Sequence, residues 1–240
     1  MRPRTDPGPP VGGSLRQRGE NLVPRGRPHD GGVPDRRPGD AVPHYFAPDP
    51  LAPSNRRTIT ARIRGREWTF LTDTQVFSFR EIDAGTLLLA ERMEVGATDR
   101  VLDLGAGYGV LGLVAASLAS GGSAVLVESS PRAAELCEEN RRRNGIENAR
   151  VQIGDGLGAV SGERFDLVVT NPPIRAGKRV YYPWFQGAPG VLAPGGRLFV
   201  VIRVKQGADS AVKELARTFA DVRTVARSAG YHVIRATGTP

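Results

Sequence analysis

Val101-Leu102-Asp103-Leu104-Gly105-Ala106-Gly107-Tyr108-Gly109 is the stretch that decides the fold. An apolar run interrupted by one carboxylate leads into a glycine-rich turn, and Val110 to Ala119 then reads as an apolar helix. The glycines let the backbone pass close to a ligand. The helix start aims its free N–H groups at the same place. Strand, glycine turn and helix in that order open a βαβ unit.

The alternation continues on the C-terminal side. Ala124 to Glu128 is a strand, and Pro131 to Asn144 is a helix with Pro131 in its first turn and Gly145 just past its end. Arg150 to Ile153 and Phe165 to Thr170 are strands. A short helix near Trp184 to Leu192 precedes the turn Pro194-Gly195-Gly196, and Arg197 to Arg203 is a very apolar strand. Asp209 to Phe219 is an amphipathic helix, and Val222 to Arg227 with His232 to Ala236 form a closing strand pair. On the N-terminal side, Asp83-Ala84-Gly85-Thr86 starts a helix that runs to Met93. Ile59, Ala61 and Ile63 alternate with Thr60 and Arg62, and Trp68 and Phe70 alternate with Thr69 and Leu71. With Arg64-Gly65-Arg66 between them, these runs read as a β-hairpin. The expected fold is α/β, a doubly wound, seven-stranded, mostly parallel sheet with an N-terminal β-hairpin extension. Residues 1–43 are crowded with Pro, Gly and Arg and are expected to be a disordered tail; one domain is expected over 44–240.

The net charge is +8, and the positive charge is nearly all arginine, since Lys178, Lys205 and Lys213 are the only lysines. Arginine suits bidentate phosphate contacts, so a polyanionic partner is expected. Cys137 is the only cysteine, which excludes an intramolecular disulfide; its helical context reads as a small buried hydrophobe. The longest apolar run, Val110 to Ala119, is too short to span a bilayer, and the Arg-rich N-terminus lacks the apolar core of a secretory signal. A cytoplasmic enzyme is expected, with no membrane contact. No His/Cys cluster suggests a metal.

A second motif, Asn171-Pro172-Pro173-Ile174, follows the strand Phe165 to Thr170. Two prolines hold a stiff, extended turn there. An amide on a rigid strand end is suited to gripping an exocyclic amino group. The glycine turn admits two cofactors. Gly107 to Gly112 satisfies GxGxxG, with Glu128 about 20 residues on, as a dinucleotide site requires. Against that, a carboxylate at Asp103 would repel a pyrophosphate and suits the ammonium and sulfonium of S-adenosylmethionine. Glu128 could accept from ribose hydroxyls in either case, and Asp155 from an adenine amino group. Three carboxylates at successive strand ends favour a site over solvated loop acids.

These residues resemble the class I S-adenosylmethionine-dependent methyltransferases, a Rossmann-like fold. More narrowly, they resemble the "methyltransferase small" family, which includes the catalytic half of bacterial small-subunit ribosomal RNA guanine-N2 methyltransferases. The resemblance is carried by Phe77-Ser78-Phe79 with Ile82 to Thr86, by Asp103 to Gly109, and by Asn140 with Asn144-Gly145. Asn171 to Lys178 and Gly195 to Leu198 complete it. It implies that Gly105 and Gly107 line the methionine part of the cofactor and that Asp103 faces its amino group. Glu128 would bind the ribose and Asp155 the adenine, while Phe77 and Thr86 close the pocket and Asn171 holds the target amine.

On this reading Asn171 and the Pro172 carbonyl accept the two amine hydrogens, which needs no strong general base. Pro173 and Ile174 flank the substrate. Ile174 stands where relatives often carry a stacking aromatic, so stacking has to come from elsewhere; Tyr181, Tyr182, Trp184 and Phe185 are the candidates, although each taken alone reads better as ordinary core. Arg175, Lys178 and Arg179 are the expected phosphate contacts, with Arg203, Lys205, Arg62, Arg64 and Arg66 as further candidates. Arg141-Arg142-Arg143 ends a helix, where cations complement the dipole. The expected activity is methylation of guanine N2 in small-subunit ribosomal RNA by a monomer whose partner is that RNA or the small ribosomal subunit. A protein glutamine amide or DNA adenine is the alternative substrate. A nicotinamide oxidoreductase and a non-catalytic RNA-binding module are the more distant readings.

Overall fold

A computed structural model describes residues 54–238. The expected tail over 1–43 and the onset of the domain at residue 44 lie outside the described residues.

The first element is the hairpin, β1 (Arg56–Ile63) and β2 (Arg66–Asp73), paired antiparallel as a sheet of its own. Its tight turn takes Arg64 and Gly65 to φ 53° and 77°, the left-handed geometry that matches strand twist. There follow α1 (Ala84–Arg92), β3 (Arg100–Leu104), α2 (Val110–Leu118), β4 (Ser123–Glu128), α3 (Pro131–Arg143) and β5 (Ala149–Ile153). The second half holds β6 (Phe165–Thr170), α4 (Lys178–Gly187), β7 (Leu192–Arg203), α5 (Ala208–Leu215), β8 (Asp221–Ser228) and β9 (Tyr231–Thr237). Among the described residues the main sheet has seven strands in the order β5-β4-β3-β6-β7-β9-β8. Only β9 runs against the others. The expected doubly wound, mostly parallel sheet with its hairpin is therefore present.

Alternation along each strand divides the core. Val101, Leu167, Val169, Phe199 and Val201 pack with α1, α2, α3 and the hairpin. Leu102, Leu104, Val168, Leu198, Val200 and Ile202 pack on the other face with α4 and α5. Because both faces are covered, the strands read as continuous apolar runs. Cys137 is fully buried, as its context suggested.

Two boundaries differ from expectation. The helix read over Trp184 to Leu192 forms earlier, over Lys178–Gly187, with Pro183 inside it. Tyr181 and Phe185, one turn apart, are both buried beneath the sheet, and that packing outweighs the proline's missing donor. Pro194-Gly195-Gly196 is not a turn before β7 but an irregularity within it. Leu192 already pairs with Phe165, and pairing resumes at Arg197 with Leu167.

The hairpin is held to the main body by two asparagines of α3. Asn140 Oδ1 accepts from the Leu71 N–H at 2.6 Å, and its Nδ2 donates to the carbonyls of Leu71 and Tyr108, both at 2.9 Å. Asn144 Oδ1 accepts from the Thr69 N–H at 3.1 Å, and its Nδ2 donates to the Thr69 carbonyl at 2.8 Å. The repeat distances explain the match: one helical i,i+4 step rises about 6 Å and two strand residues span about 7 Å. The side chains of α3 thus pair with β2 as a neighbouring strand would.

Arg64 and Arg66 serve the same seam. Arg64 donates to the carbonyls of Ala90 (2.9 Å) and Met93 at the end of α1, and Arg66 to that of Asn144 just past α3. The orphan carbonyls of two helix ends claim these guanidinium groups, so they are structural clamps rather than the phosphate contacts anticipated. Arg141, Arg142 and Arg143 are paired with Glu138 and Glu139 along their own helix.

Replacing Asn140 with alanine leaves three buried backbone groups without partners, and a loss of about 2–4 kcal/mol in urea unfolding is expected.

Candidate active site

The loops after β3 and β6 leave adjacent strands at the point where the chain order of the sheet reverses. Such a crevice is where open α/β sheets bind ligands. The buried Thr170 hydroxyl donates to the Leu104 carbonyl at 2.8 Å and pins the two strand ends together.

Asp103 is buried beside the start of α2. Its Oδ2 accepts from the Gly112 N–H at 2.8 Å, while its buried Oδ1 has no partner among the described residues. Burial pushes its pKa up to about 7; the Gly112 N–H opposes the rise and the Glu128 charge adds to it. A Cβ on Gly112 would come within 2.4 Å of the Leu126 side chain, so this glycine serves close helix–strand packing.

The glycine loop is fixed by neighbours on β4. The N–H groups of Gly105 and Ala106 donate to the Val127 carbonyl at 2.9 and 3.0 Å. Glu128 accepts from the Gly107 N–H on one oxygen and from the Ser130 N–H on the other, both at 2.8 Å. Gly107, at φ 58°, faces open space. Gly105 and Gly156 both lie against Trp184, since a Cβ would sit 3.2 Å from its ring at Gly105 and 2.6 Å from its Nε1 at Gly156. Asp155 is exposed and lines a cleft of about 430 Å³ together with Arg179, Val180 and Trp184.

Asn171 is anchored by half of its amide. Nδ2 donates to the Thr86 hydroxyl at 2.8 Å and to Asp83 Oδ2 at 3.3 Å, and Oδ1 accepts from nothing among the described residues. Asp83 caps α1 through the Thr86 N–H at 3.1 Å, and its Oδ1 accepts from the Tyr231 hydroxyl at 2.8 Å. Burial pushes the Tyr231 phenol up, as does its bond to Asp83, while Arg203 opposes them. Pro173, at φ −73° and ψ 74°, is the centre of a tight turn closed by the Ile174 N–H on the Pro172 carbonyl at 2.8 Å. This is an inverse γ-turn, so the two prolines bend the chain where an extended turn was expected. The Pro172 carbonyl keeps a second lone pair.

The structure thus brings Thr86, Asp103, Gly105, Gly107, Glu128, Asn171 and Pro172 to one edge of the sheet. Pro173 and Ile174 are half-buried in the turn, and Arg175, Lys178 and Arg179 are exposed beyond it. Phe77 is 65% exposed in the connection between β2 and α1. Of the aromatic residues considered for stacking, Tyr181 and Phe185 are core, because the early start of α4 turns them under the sheet. Trp184 lies on the glycine-loop side. The part played by Tyr231 went unread, because its partner Asp83 is 148 residues away and neither local pattern points to the other. Among the described residues, no group of three or more His, Cys, Asp or Glu gathers as a metal site would need, and no helix is long and apolar enough to cross a membrane.

Comparison with known proteins adds to this geometry. A family model described as the methyltransferase small domain matches residues 67–235. Uncharacterized protein YbxB of Bacillus subtilis is 38% identical over 195 residues, 80% of this chain and 97% of that one. Ribosomal RNA large subunit methyltransferase G of Streptomyces avermitilis is 29% identical over 197 residues, 80% of this chain and 48% of that one. The structure of a T. thermophilus 16S rRNA N2 G1207 methyltransferase (RsmC), in complex with AdoMet and guanosine, is similar with a TM-score of 0.69 and 32% identity. It covers 78% of this chain and 51% of that one. The chain spans about half the length of these two ribosomal RNA methyltransferases.

The raised pKa of Asp103 has a definite sign. Between the ordinary value of 3.8 and about 7 the folded chain holds this proton more tightly than the unfolded one. The stability it contributes is therefore present at acid pH and lost as the pH rises through that window. In urea unfolding of ligand-free protein, Asp103→Asn is expected to flatten the fall in stability between about pH 4 and about pH 7.

Proposed function

This chain belongs to the methyltransferase small domain family, and on that premise we propose that it methylates the exocyclic N2 amine of a guanine in ribosomal RNA. It is an S-adenosylmethionine-dependent methyltransferase. The observation that carries the finer reading is the half-anchored amide of Asn171, presented at the strand end next to the one that bears Asp103.

The residues present fit the cofactor. Asp103 has a buried carboxylate oxygen without a partner among the described residues; burial disfavours the charged form alone, and a cationic ammonium would relieve it. Gly107 leaves open space above the loop, as a close ligand requires. In this reading Gly105 and Gly107 line the methionine portion, Glu128 takes the ribose, Asp155 takes the adenine, and Phe77 and Thr86 close the N-terminal side. When bound, the cofactor supplies a methyl group activated on a sulfonium sulfur.

The chain's own work is positioning. A ring amine is a weak nucleophile because its lone pair is delocalised. Asn171 Oδ1 and the free lone pair of the Pro172 carbonyl accept its two hydrogens and aim the nitrogen lone pair outward. Thr86 and Asp83 hold Nδ2, so the amide cannot turn and offer donors to a donor. Pro173 and Ile174 border the base, and Arg175, Lys178 and Arg179 contact phosphates beyond the turn. The similarity to a 16S enzyme supports the small subunit, and the similarity to a large-subunit enzyme makes that RNA the second substrate to test. The reaction belongs in the cytoplasm, where ribosomes assemble.

Asn171→Ala is expected to lower turnover of labelled methyl into ribosomal RNA by about 10²–10³-fold, with cofactor affinity held within about threefold. The assay sets naked ribosomal RNA, each ribosomal subunit, release factor and DNA side by side; label in protein or DNA alone would overturn the RNA reading. Charge reversal at Arg175, Lys178 and Arg179 is expected to weaken RNA binding and flatten its dependence on salt, as filter binding across a salt series would read.

A further inference from the structure

On the side of Asn171 away from the glycine loop, the carboxyl edge of the sheet opens into a cleft of about 560 Å³. Its walls include Phe79, Arg80, Glu81, Asp83, Arg203 and Tyr231. Arg203 ends β7 and Tyr231 opens β9, and the two are paired across the sheet. The strand next to β7 is β6, which delivers Asn171. Asp83 belongs to both places, because one oxygen takes the Asn171 amide and the other the Tyr231 hydroxyl. The cleft is therefore bonded to the amine-gripping turn through a single carboxylate.

Its walls combine aromatic rings with cationic side chains. Phe79 and Tyr231 are half-buried rings, and the Arg203 guanidinium lies 5.8 Å from the Tyr231 ring centre. Arg203 and Arg80 are exposed and make no ion pair among the described residues. Of the acids on the same wall, Glu81 is exposed and Asp83 is already engaged by Thr86, Asn171 and Tyr231. Several backbone features keep this shape. Ser78 is a non-glycine residue held at φ 61°, a costly conformation that tends to mark functional sites, while Ala229 and Gly230, at φ 49° and 77°, form the tight turn between β8 and β9. Gly85, inside α1, leaves room for the Tyr231 ring, since a Cβ there would approach it to 2.6 Å.

The motif residue Ile174 offers no aromatic face, and Tyr181 and Phe185 are sealed in the core. We infer that this cleft receives the base whose amine is methylated, with Tyr231 and Phe79 supplying its stacking faces and Arg203 and Arg80 holding the adjoining phosphates. The inference rests on the RNA reading above. Base–aromatic stacking tolerates any base, so the amine grip at Asn171 selects the target while these rings hold it.

The test is steady-state methylation of ribosomal RNA, with cofactor affinity measured alongside by calorimetry. Tyr231→Leu and Phe79→Leu are each expected to raise the KM for RNA about tenfold, with cofactor affinity within about twofold. Tyr231→Phe keeps the ring and is expected to leave that KM in place, while losing kcat because Asp83, and through it Asn171, is no longer braced. Arg203→Ala, on an exposed side chain, is expected to reduce the salt slope of RNA binding by about one. If the wild-type chain methylates RNA and neither leucine variant moves KM, the cleft assignment falls and the methyltransferase reading stands. An equal KM rise in Tyr231→Phe would assign the effect to the hydroxyl and overturn stacking. Transfer of methyl to protein alone by the wild type would overturn both readings.

Discussion

The buried carboxamide of Asn140 is the interaction on which the arrangement rests. It closes three backbone bonds at once, to both polar groups of Leu71 in the hairpin and to the carbonyl of Tyr108 in the glycine loop. A two-stranded ribbon has little stability of its own, since it cannot bury a core. Trp68 and Phe70 bury its inner face, and the side-chain ladder from α3 satisfies its inner edge. The same bond sets the glycine loop against that ribbon. Hairpin, helix and loop are consequently joined at a single side chain.

A second carboxamide, that of Asn171, uses the same chemistry to a different end. Asn140 has every hydrogen-bonding atom engaged and is structural. Asn171 has its donors tied to Thr86 and Asp83 and, among the described residues, its acceptor left over. An amide left wholly free could present either end to an incoming group, at an entropic cost on binding. Fixing the nitrogen decides the polarity of the site before any substrate arrives. Asp83 connects this amide to the helix start and to β9, so three elements distant in sequence share one carboxylate.

Much of this was legible in the sequence, for physical reasons. Parallel strands covered on both faces must be apolar throughout, and β3, β4, β6 and the latter part of β7 announced themselves in that way. Asp103 and Asn171 stood out because a carboxylate and an amide at strand ends have few purely structural uses. What stayed hidden depends on contacts that sequence spacing does not encode. Pro183 disguised the middle of α4 as its beginning, because the burial of Tyr181 and Phe185 is a tertiary fact. The glycines after Pro194 looked like a turn until β6 was there to pair with. Arg64 and Arg66 looked like phosphate ligands because nothing local reveals that two helix ends lie beside them. The amide of Asn140 shows no periodicity that would link it to a strand 69 residues earlier.

The chain has two tryptophans, and their surroundings differ in kind. Trp68 is sealed beneath the hairpin, stacked with Phe70 and covered by Arg66. Trp184 is half-buried, its indole laid across Gly105 and Gly156 at the mouth of the glycine loop. Indole emission responds to polarity and to contact with other rings, so the two fluorophores answer to different events. Light from Trp68 would report whether the hairpin is seated, and light from Trp184 would report a ligand that approached the loop. The two indoles would thus serve as separate optical gauges, one for assembly and one for occupancy, with no label attached.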